Sequence, residues 1–154
     1  MDTEPDAPLR SRLEDTFWER HSNPKSGWSR LLISPLLVFA LYRRDRRLVA
    51  LAVLATVVNP VAFGPPDPDT DSWMTRAVRA ERWWIEAGNG SLGLGWPNVL
   101  NTVNVPAFAY ALAAAYARKP VRAALAMALS MGLKLGWVEL VARRYDAALD
   151  AETH

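Results

Sequence analysis

The sequence predicts an all-α protein: an integral membrane bundle of four helices in two antiparallel hairpins, with two amphipathic helices beside it. Four segments of the 154-residue chain are almost purely apolar, and the connection within each pair of segments is short and basic. Tyrosine or tryptophan stands at the segment ends, as at the two interfaces of many membrane proteins. The length indicates a single membrane domain over residues 1–154.

The N-terminal part precedes the apolar segments. Residues 1–7 are acidic and contain proline, without the basic and apolar regions of a signal peptide, so we expect a disordered tail. An amphipathic helix is expected over 8–22, because an apolar side chain recurs every fourth residue from Leu9 to Phe17. Pro24 then prevents the helix from continuing.

Two helical hairpins are predicted, over 28–63 and 96–142. Their connections, "RRDRR" at 43–47 and "RKPVR" at 118–122, are too short to join anything but antiparallel neighbours. Both halves read as proline, apolar helix, tyrosine, basic turn and apolar helix. This order suggests an old duplication, although alanine- and leucine-rich helices also resemble one another by chance.

The segment 65–95 lies between the hairpins. It has a proline-rich entry, a helix from about Ser72 and a glycine-rich exit. Tryptophan and aliphatic residues mark one side of this helix and arginines the other, which is typical of a helix in the plane of a membrane interface.

A soluble helical core is the alternative to a membrane protein. The uncharged run 31–42 is shorter than the roughly 20 residues that span a bilayer. The membrane interpretation is favoured because Glu86 and Arg118 bracket 31 uncharged residues and because seven of the ten turn residues are Lys or Arg. We therefore expect a multi-pass protein of the cell membrane with lipids as partners, its basic turns in the cytoplasm and both termini outside.

Composition excludes several kinds of site. The chain has no cysteine and only two histidines, so we predict neither a metal centre nor a cofactor. A net charge of +2 is too small for a nucleic-acid-binding surface. HExxH, Walker A and GxSxG signatures are absent, which leaves enzymatic activity open.

One lysine interrupts the last apolar segment. Lys134 lies fourteen residues after Pro120, or about 21 Å from the turn. On the other helices, counts of fourteen to sixteen residues from a turn reach Asn59, Arg30 and Asn104, so four helices carry a polar side chain at about one level. An unpaired lysine near mid-membrane costs about 3 kcal/mol, so it should face the bundle and find the asparagine carbonyls. Each residue also has an ordinary explanation. Lys134 could extend towards the nearer membrane face, Asn59 could end a helix before Pro60, and Asn104 could form an interhelical hydrogen bond.

The sequence "WERHSNPKSGWSR", residues 18–30, precedes the first apolar helix and is expected to lie next to this group of polar residues, on the side of the termini. It is predicted to be a loop rich in functional side chains. His21 is the first candidate for acid–base catalysis, because histidine titrates near neutrality, and Glu81 of the nearby "RAERWW" is the second. The two segments should lie close together, although the loop could merely turn the chain at the interface. The candidates for ligand binding are Arg20, Asn23, Arg30, Asn59, Arg79, Arg82, Asn101, Asn104 and Lys134.

Five stretches carry a resemblance to a known family: "WERHSNPKSGWSR", "NPVAFGPP", "WMTRAVRAERWW", "LNTVNVPAFAYA" and "KLGWVELVARRY". Together they resemble an uncharacterised family of small multipass membrane proteins, a domain of unknown function with a box of the type RHSNPxSxWSR. The similarity runs from Phe17 to Tyr145. Lys25 stands where the family usually has an aromatic residue, and Ala80 where it has glycine. The resemblance implies a membrane protein and supplies no activity.

The sequence is compatible with three functions. The first is a polar intramembrane pocket for an anionic or lipid-derived ligand. The second is a structural or assembly subunit that packs against other membrane proteins or against itself. The third is a small transporter or proton conduit.

Overall fold

The computed structural model describes residues 9–153, and within that range the chain forms six helices and no strand. The predicted all-α class is confirmed, whereas the predicted tail 1–7 lies outside the described residues. The helices are α1 (Leu9–His21), α2 (Pro24–Arg43), α3 (Arg46–Ala62), α4 (Trp73–Glu86), α5 (Asn98–Tyr116) and α6 (Pro120–Glu152).

The joint between α1 and α2 is only two residues long. The Asn23 side chain accepts a hydrogen bond from the Lys25 N–H at 2.9 Å and so caps α2, while Pro24 takes the first helical position, where its missing N–H costs nothing. The stretch 18–30, expected as a loop, is therefore the end of one helix and the start of the next. Pro24 was predicted to end the first helix, and in the structure it is the first residue of α2.

The two basic turns lie side by side at one end of the bundle. Arg44 and Arg118 both adopt the left-handed conformation, with φ of 56° and 59°. The Arg44 guanidinium lies 5.2 Å from the centre of the Tyr116 ring, and that of Arg118 lies 5.6 Å from the Tyr42 ring. Each turn thus contacts the tyrosine of the other hairpin, a reciprocal arrangement that fits two related halves.

Helix α4 packs on the bundle through its apolar face. Met74, Ala77, Val78 and Trp84 are buried, and the helix contacts α1, α2 and α6. The sequence pattern predicted a helix in the plane of a membrane interface, and in the structure its apolar face packs against protein. An amphipathic pattern shows that a helix has an apolar face but not what covers that face.

Two helices, α5 and α6, are long and apolar enough to cross a membrane by length and composition. Only 22% and 28% of their most apolar windows are buried within the structure. Four spanning helices were predicted, so the membrane bundle is supported only in this coarser form. Helix α3 has 17 residues, and α2 carries Lys25 and Arg30 in its first half.

Within residues 9–153 the interior contains two apolar clusters. The one nearer the basic turns joins α2, α5 and α6 and consists mostly of alanines, which let the helices approach closely. The other joins α4, α5 and α6 around Trp137, which is fully buried. Ala77 and Val138 of this second cluster also form one wall of the cavity described below.

Asn98 connects the elements around the second cluster. Its side-chain oxygen accepts hydrogen bonds from the indole N–H groups of Trp84 and Trp137, at 3.0 and 3.1 Å. Its amide nitrogen donates to the carbonyls of Asn89 and Gly90. One buried side chain therefore ties α4, α5, α6 and the glycine-rich connector together.

Candidate functional site

A cavity of about 250 Å³ opens between α1, α2, α4 and α6, at the end of the bundle opposite the basic turns. Most of its walls are aliphatic or aromatic. Four chain segments contribute its polar lining, which consists of His21, Arg30, Ser34, Glu81 and Lys134. We call this cavity the charged pocket.

Lys134 pairs with a carboxylate in the charged pocket. Its ammonium lies 3.4 Å from Glu81 Oε1 and 4.4 Å from the centre of the Trp137 ring. The side chains of Lys134 and Glu81 are 37% and 19% exposed, so the pair is partly withdrawn from solvent. The sequence predicted asparagine carbonyls as the partners of this lysine, and the structure supplies α4 and its acid instead.

Arg30 faces His21 across the joint of α1 and α2. Its guanidinium contacts both ring nitrogens of His21 and lies 3.5 Å from the His21 carbonyl oxygen. Among residues 9–153 no acidic side chain forms an ion pair with Arg30. Its positive charge is therefore half-buried without a negative partner at contact distance.

Burial and, to a smaller extent, the positive charges of Arg30 and Lys134 together lower the pKa of His21 to about 4. The imidazole is then neutral at pH 7 and can accept a hydrogen bond from Arg30. A general base works best with a pKa near the working pH, so this geometry suits His21 to positioning Arg30 better than to proton transfer. Glu81, the second acid–base candidate, is held by Lys134.

The charged groups of the pocket do not balance. Arg30 and Lys134 carry two positive charges, Glu81 carries one negative charge, and His21 is neutral. The net charge of +1 lies beside apolar walls, where a charge without a partner is costly. An anion that accepts hydrogen bonds from Arg30 would complete the site.

Gly27 allows α4 to come close to α2. A Cβ atom at this position would overlap the side chain of Met74, which lines the same pocket. Glu81 lies two turns further along α4 than Met74. The absence of a side chain at Gly27 therefore makes room for Met74 in the wall of the charged pocket.

Arg20 and Asn23, two of the predicted ligand-binding residues, hold the polypeptide backbone. Arg20 donates to the carbonyl of Val61 at 3.2 Å, and Asn23 donates to the carbonyl of Gly64 at 2.9 Å. Both bonds fasten the α1–α2 joint to the end of α3. These two residues lie outside the lining of the charged pocket.

Asn59 and Asn101 are also engaged in structural hydrogen bonds. Asn59 is buried between α2 and α3, where it accepts from Ser26 at 2.9 Å and donates to Ser29 at 2.5 Å. Asn101 donates to the carbonyl of Ser91 in the connector at 2.9 Å. Neither asparagine reaches Lys134.

Asn104 comes nearer to the lysine. It accepts a hydrogen bond from Ser130 at 2.5 Å, and it lines a cavity of about 300 Å³ that Lys134 also lines. The two side chains share this space without a hydrogen bond between them. Arg30, Asn59, Asn104 and Lys134 were predicted to lie at one depth. Of these, Arg30 and Lys134 line the charged pocket, and Asn104 lines the cavity of about 300 Å³ next to it.

Arg79 and Arg82 face a different part of the surface. They border an outer cleft of about 580 Å³ next to Trp18 and the proline-rich entry of α4. Arg82 forms ion pairs with Asp15 and Glu86 at 2.5 and 2.6 Å. Both arginines were predicted to bind a ligand together with the other candidates, whereas of these three residues only Glu81 lines the charged pocket.

Three contributors were missed from the sequence. Ser34 lines the charged pocket, Trp137 lies under the lysine ammonium, and Asn98 fixes the position of Trp137. The sequence does contain a pattern that points to Asn98. It lies three residues before Asn101 and six before Asn104, a spacing that places asparagines on successive turns of one helix. Ser34 and Trp137 stand within apolar segments, and no comparable spacing of polar residues distinguishes them there.

Comparison with known proteins adds a family and no activity. No curated protein and no solved structure matches the chain significantly. One family profile matches residues 10–153, a range that includes every residue of the charged pocket. The predicted relation to a family of unknown function is thereby confirmed, and the chain belongs to the family of unknown function DUF6653.

Proposed function

We propose that this protein is a multi-pass membrane protein whose charged pocket binds the anionic group of a lipid or a lipid-derived ligand. The observation that carries the proposal is Arg30, a half-buried guanidinium with no ion-pair partner among residues 9–153. A guanidinium presents five N–H donors, and the His21 ring and carbonyl engage only part of them. The remaining donors suit a carboxylate or phosphate oxygen.

The membrane part of the proposal rests on exposed apolar surface. Large apolar side chains point outward on all four helices of the two hairpins, where contact with water would be unfavourable over so wide an area. They include Leu32, Phe39, Leu51, Leu54, Val57, Val103, Val105, Leu125 and Leu129, each at least 46% exposed.

The two helices that fall short of a full apolar span fit the same proposal. Helix α3 has 17 residues and a length of about 26 Å, close to the roughly 30 Å of a bilayer core. Helix α2 has 20 residues, with Lys25 and Arg43 near its two ends, and its one charge in between is the pocket-lining Arg30. Polar side chains that face a bundle interior are those expected to serve function in a membrane protein.

Single cysteines would test the topology, because the chain contains no natural cysteine. We expect Thr16→Cys and Ala87→Cys to react with an impermeant maleimide from one side of the membrane and Lys119→Cys from the other, since Lys119 lies in a basic turn. Membranes opened with detergent should label all three positions. Labelling of all three from the same side of sealed membranes would refute the spanning arrangement.

Binding of palmitate would test the charged pocket. In maltoside micelles we expect palmitate to raise the melting temperature while uncharged hexadecanol does not. Arg30→Gln should weaken palmitate binding about 10- to 100-fold, because hydrogen bonds to charged groups contribute about 1.5–3 kcal/mol. Arg20→Gln is the matched control, since Arg20 donates to the Val61 carbonyl and lies outside the lining of the charged pocket. Equal affinity in both variants, or equal stabilisation by hexadecanol, would disprove an anion site at Arg30.

A further inference from the structure

We infer that the ligand is a single-chain amphiphile with a monoanionic head, whose head lies at Arg30 and whose chain lies in an apolar groove between α2 and α6. This inference rests on the proposed function and specifies its ligand.

The groove lies between α2 and α6, between the level of Lys134 and the basic turns. It has a volume of about 490 Å³ and an almost wholly apolar lining. Pro35, Val38 and Phe39 line it from α2, and Ala124, Met127 and Ala128 line it from α6. We call it the α2–α6 groove.

A third cavity shares lining residues with both the charged pocket and this groove. The cavity of about 300 Å³ described above shares Ser34 and Lys134 with the charged pocket, and it shares Met127 and Met131 with the α2–α6 groove. The three spaces therefore follow one another along the same pair of helices. From Lys134 to Pro120 this path is about 21 Å long.

The charged pocket provides a polar end and the α2–α6 groove provides an apolar length. A ligand with a charged head and an alkyl chain matches this combination. The uncompensated charge of the pocket is +1, which one carboxylate would neutralise, whereas a dianion would leave a negative charge beside apolar walls. The groove lies between only two helices, so we assign it one alkyl chain. The chemistry of this site is that of a long-chain carboxylate.

Groove-filling variants test the chain separately from the head. Ala128 is exposed within the groove, and Ala113 is an exposed alanine on α5 outside its lining. We expect Ala128→Phe to weaken palmitate binding at least tenfold and Ala113→Phe to leave it unchanged. Unchanged binding in Ala128→Phe beside a loss in Arg30→Gln would overturn the groove and leave the anion pocket standing. Unchanged binding in Ala128→Phe and Arg30→Gln alike would overturn both, and an equal loss in the two alanine variants would count against the groove.

Photochemical labelling provides a second test. It uses the unmodified protein, so its result does not depend on whether a variant folds. Palmitate carrying a diazirine near its chain end should form cross-links within residues 35–42 of α2 and 120–131 of α6. Excess palmitate should suppress these cross-links, and excess hexadecanol should not. Cross-links found chiefly on α3 or α5, or spread evenly over the four helices, would overturn the proposed path of the chain.

Discussion

Replacing Asn98 with leucine should lower the free energy of unfolding by about 2 to 6 kcal/mol, because it leaves two buried indole N–H groups without an acceptor at about 1–3 kcal/mol each. Those groups belong to Trp84 and Trp137, which both donate to the Asn98 side-chain oxygen. Leucine has the same branched arrangement of side-chain heavy atoms as asparagine but cannot accept a hydrogen bond. The second cluster should therefore loosen where α4, α5 and α6 meet.

Asn101→Leu is the matched control for this prediction. Asn101 is equally buried and lies one turn further along α5, but its side chain makes a single hydrogen bond, to the carbonyl of Ser91. Its loss should cost about 1 kcal/mol. Denaturation in a fixed detergent, followed by helical circular dichroism, would compare the two variants. Equal destabilisation by both would show that Asn98 does not connect the helices as described.

Asn98 also shows where inference from the sequence stops. Counting residues from the basic turns places polar side chains along the bundle axis, because the rise per residue is fixed. It does not place them around the axis. Helix α5 is apolar on most of its circumference, so its pattern does not determine which asparagine faces which neighbour.

Local signals in the sequence predicted the chain reversals well. The connections "RRDRR" and "RKPVR" form tight turns, and the helix expected from about Ser72 begins at Trp73 with Ser72 as its cap. These features depend on neighbouring residues alone. The joint at Pro24 was misjudged, because the same residue that excludes a continuing helix is favoured at the start of a new one.

The charged pocket was only half predictable. Depth along the helices selected Arg30 and Lys134, and the expectation that His21 would lie near Glu81 agrees with their shared cavity. The pairing of Lys134 with Glu81 joins residues 53 positions apart. It depends on α4 packing against α6, and an amphipathic pattern does not state which helix a face will meet.

The ion pair itself offers the most informative variants of the pocket. Lys134→Met leaves the Glu81 carboxylate in a partly buried site without its partner, and Glu81→Gln leaves Lys134 with only the Trp137 ring. Each single variant should therefore lose stability, whereas removing both charges in Lys134→Met/Glu81→Gln should cost less than the sum of the two. We expect a coupling energy of about 1–3 kcal/mol from the double-mutant cycle. Additive losses would show that the 3.4 Å contact contributes nothing.

The same three variants change the charge of the pocket in opposite directions, so they make a signed prediction for palmitate. Glu81→Gln raises the net charge to +2 and should tighten binding, and Lys134→Met lowers it to zero and should weaken binding. The double variant restores +1 through Arg30 and should bind within a few-fold of the unmodified protein. Stability and affinity therefore separate, because Glu81→Gln is expected to be less stable and yet to bind more tightly. Weaker palmitate binding in Glu81→Gln, measured below its melting temperature, would mean that Glu81 supports the ligand directly and that the charge balance of the pocket does not select it.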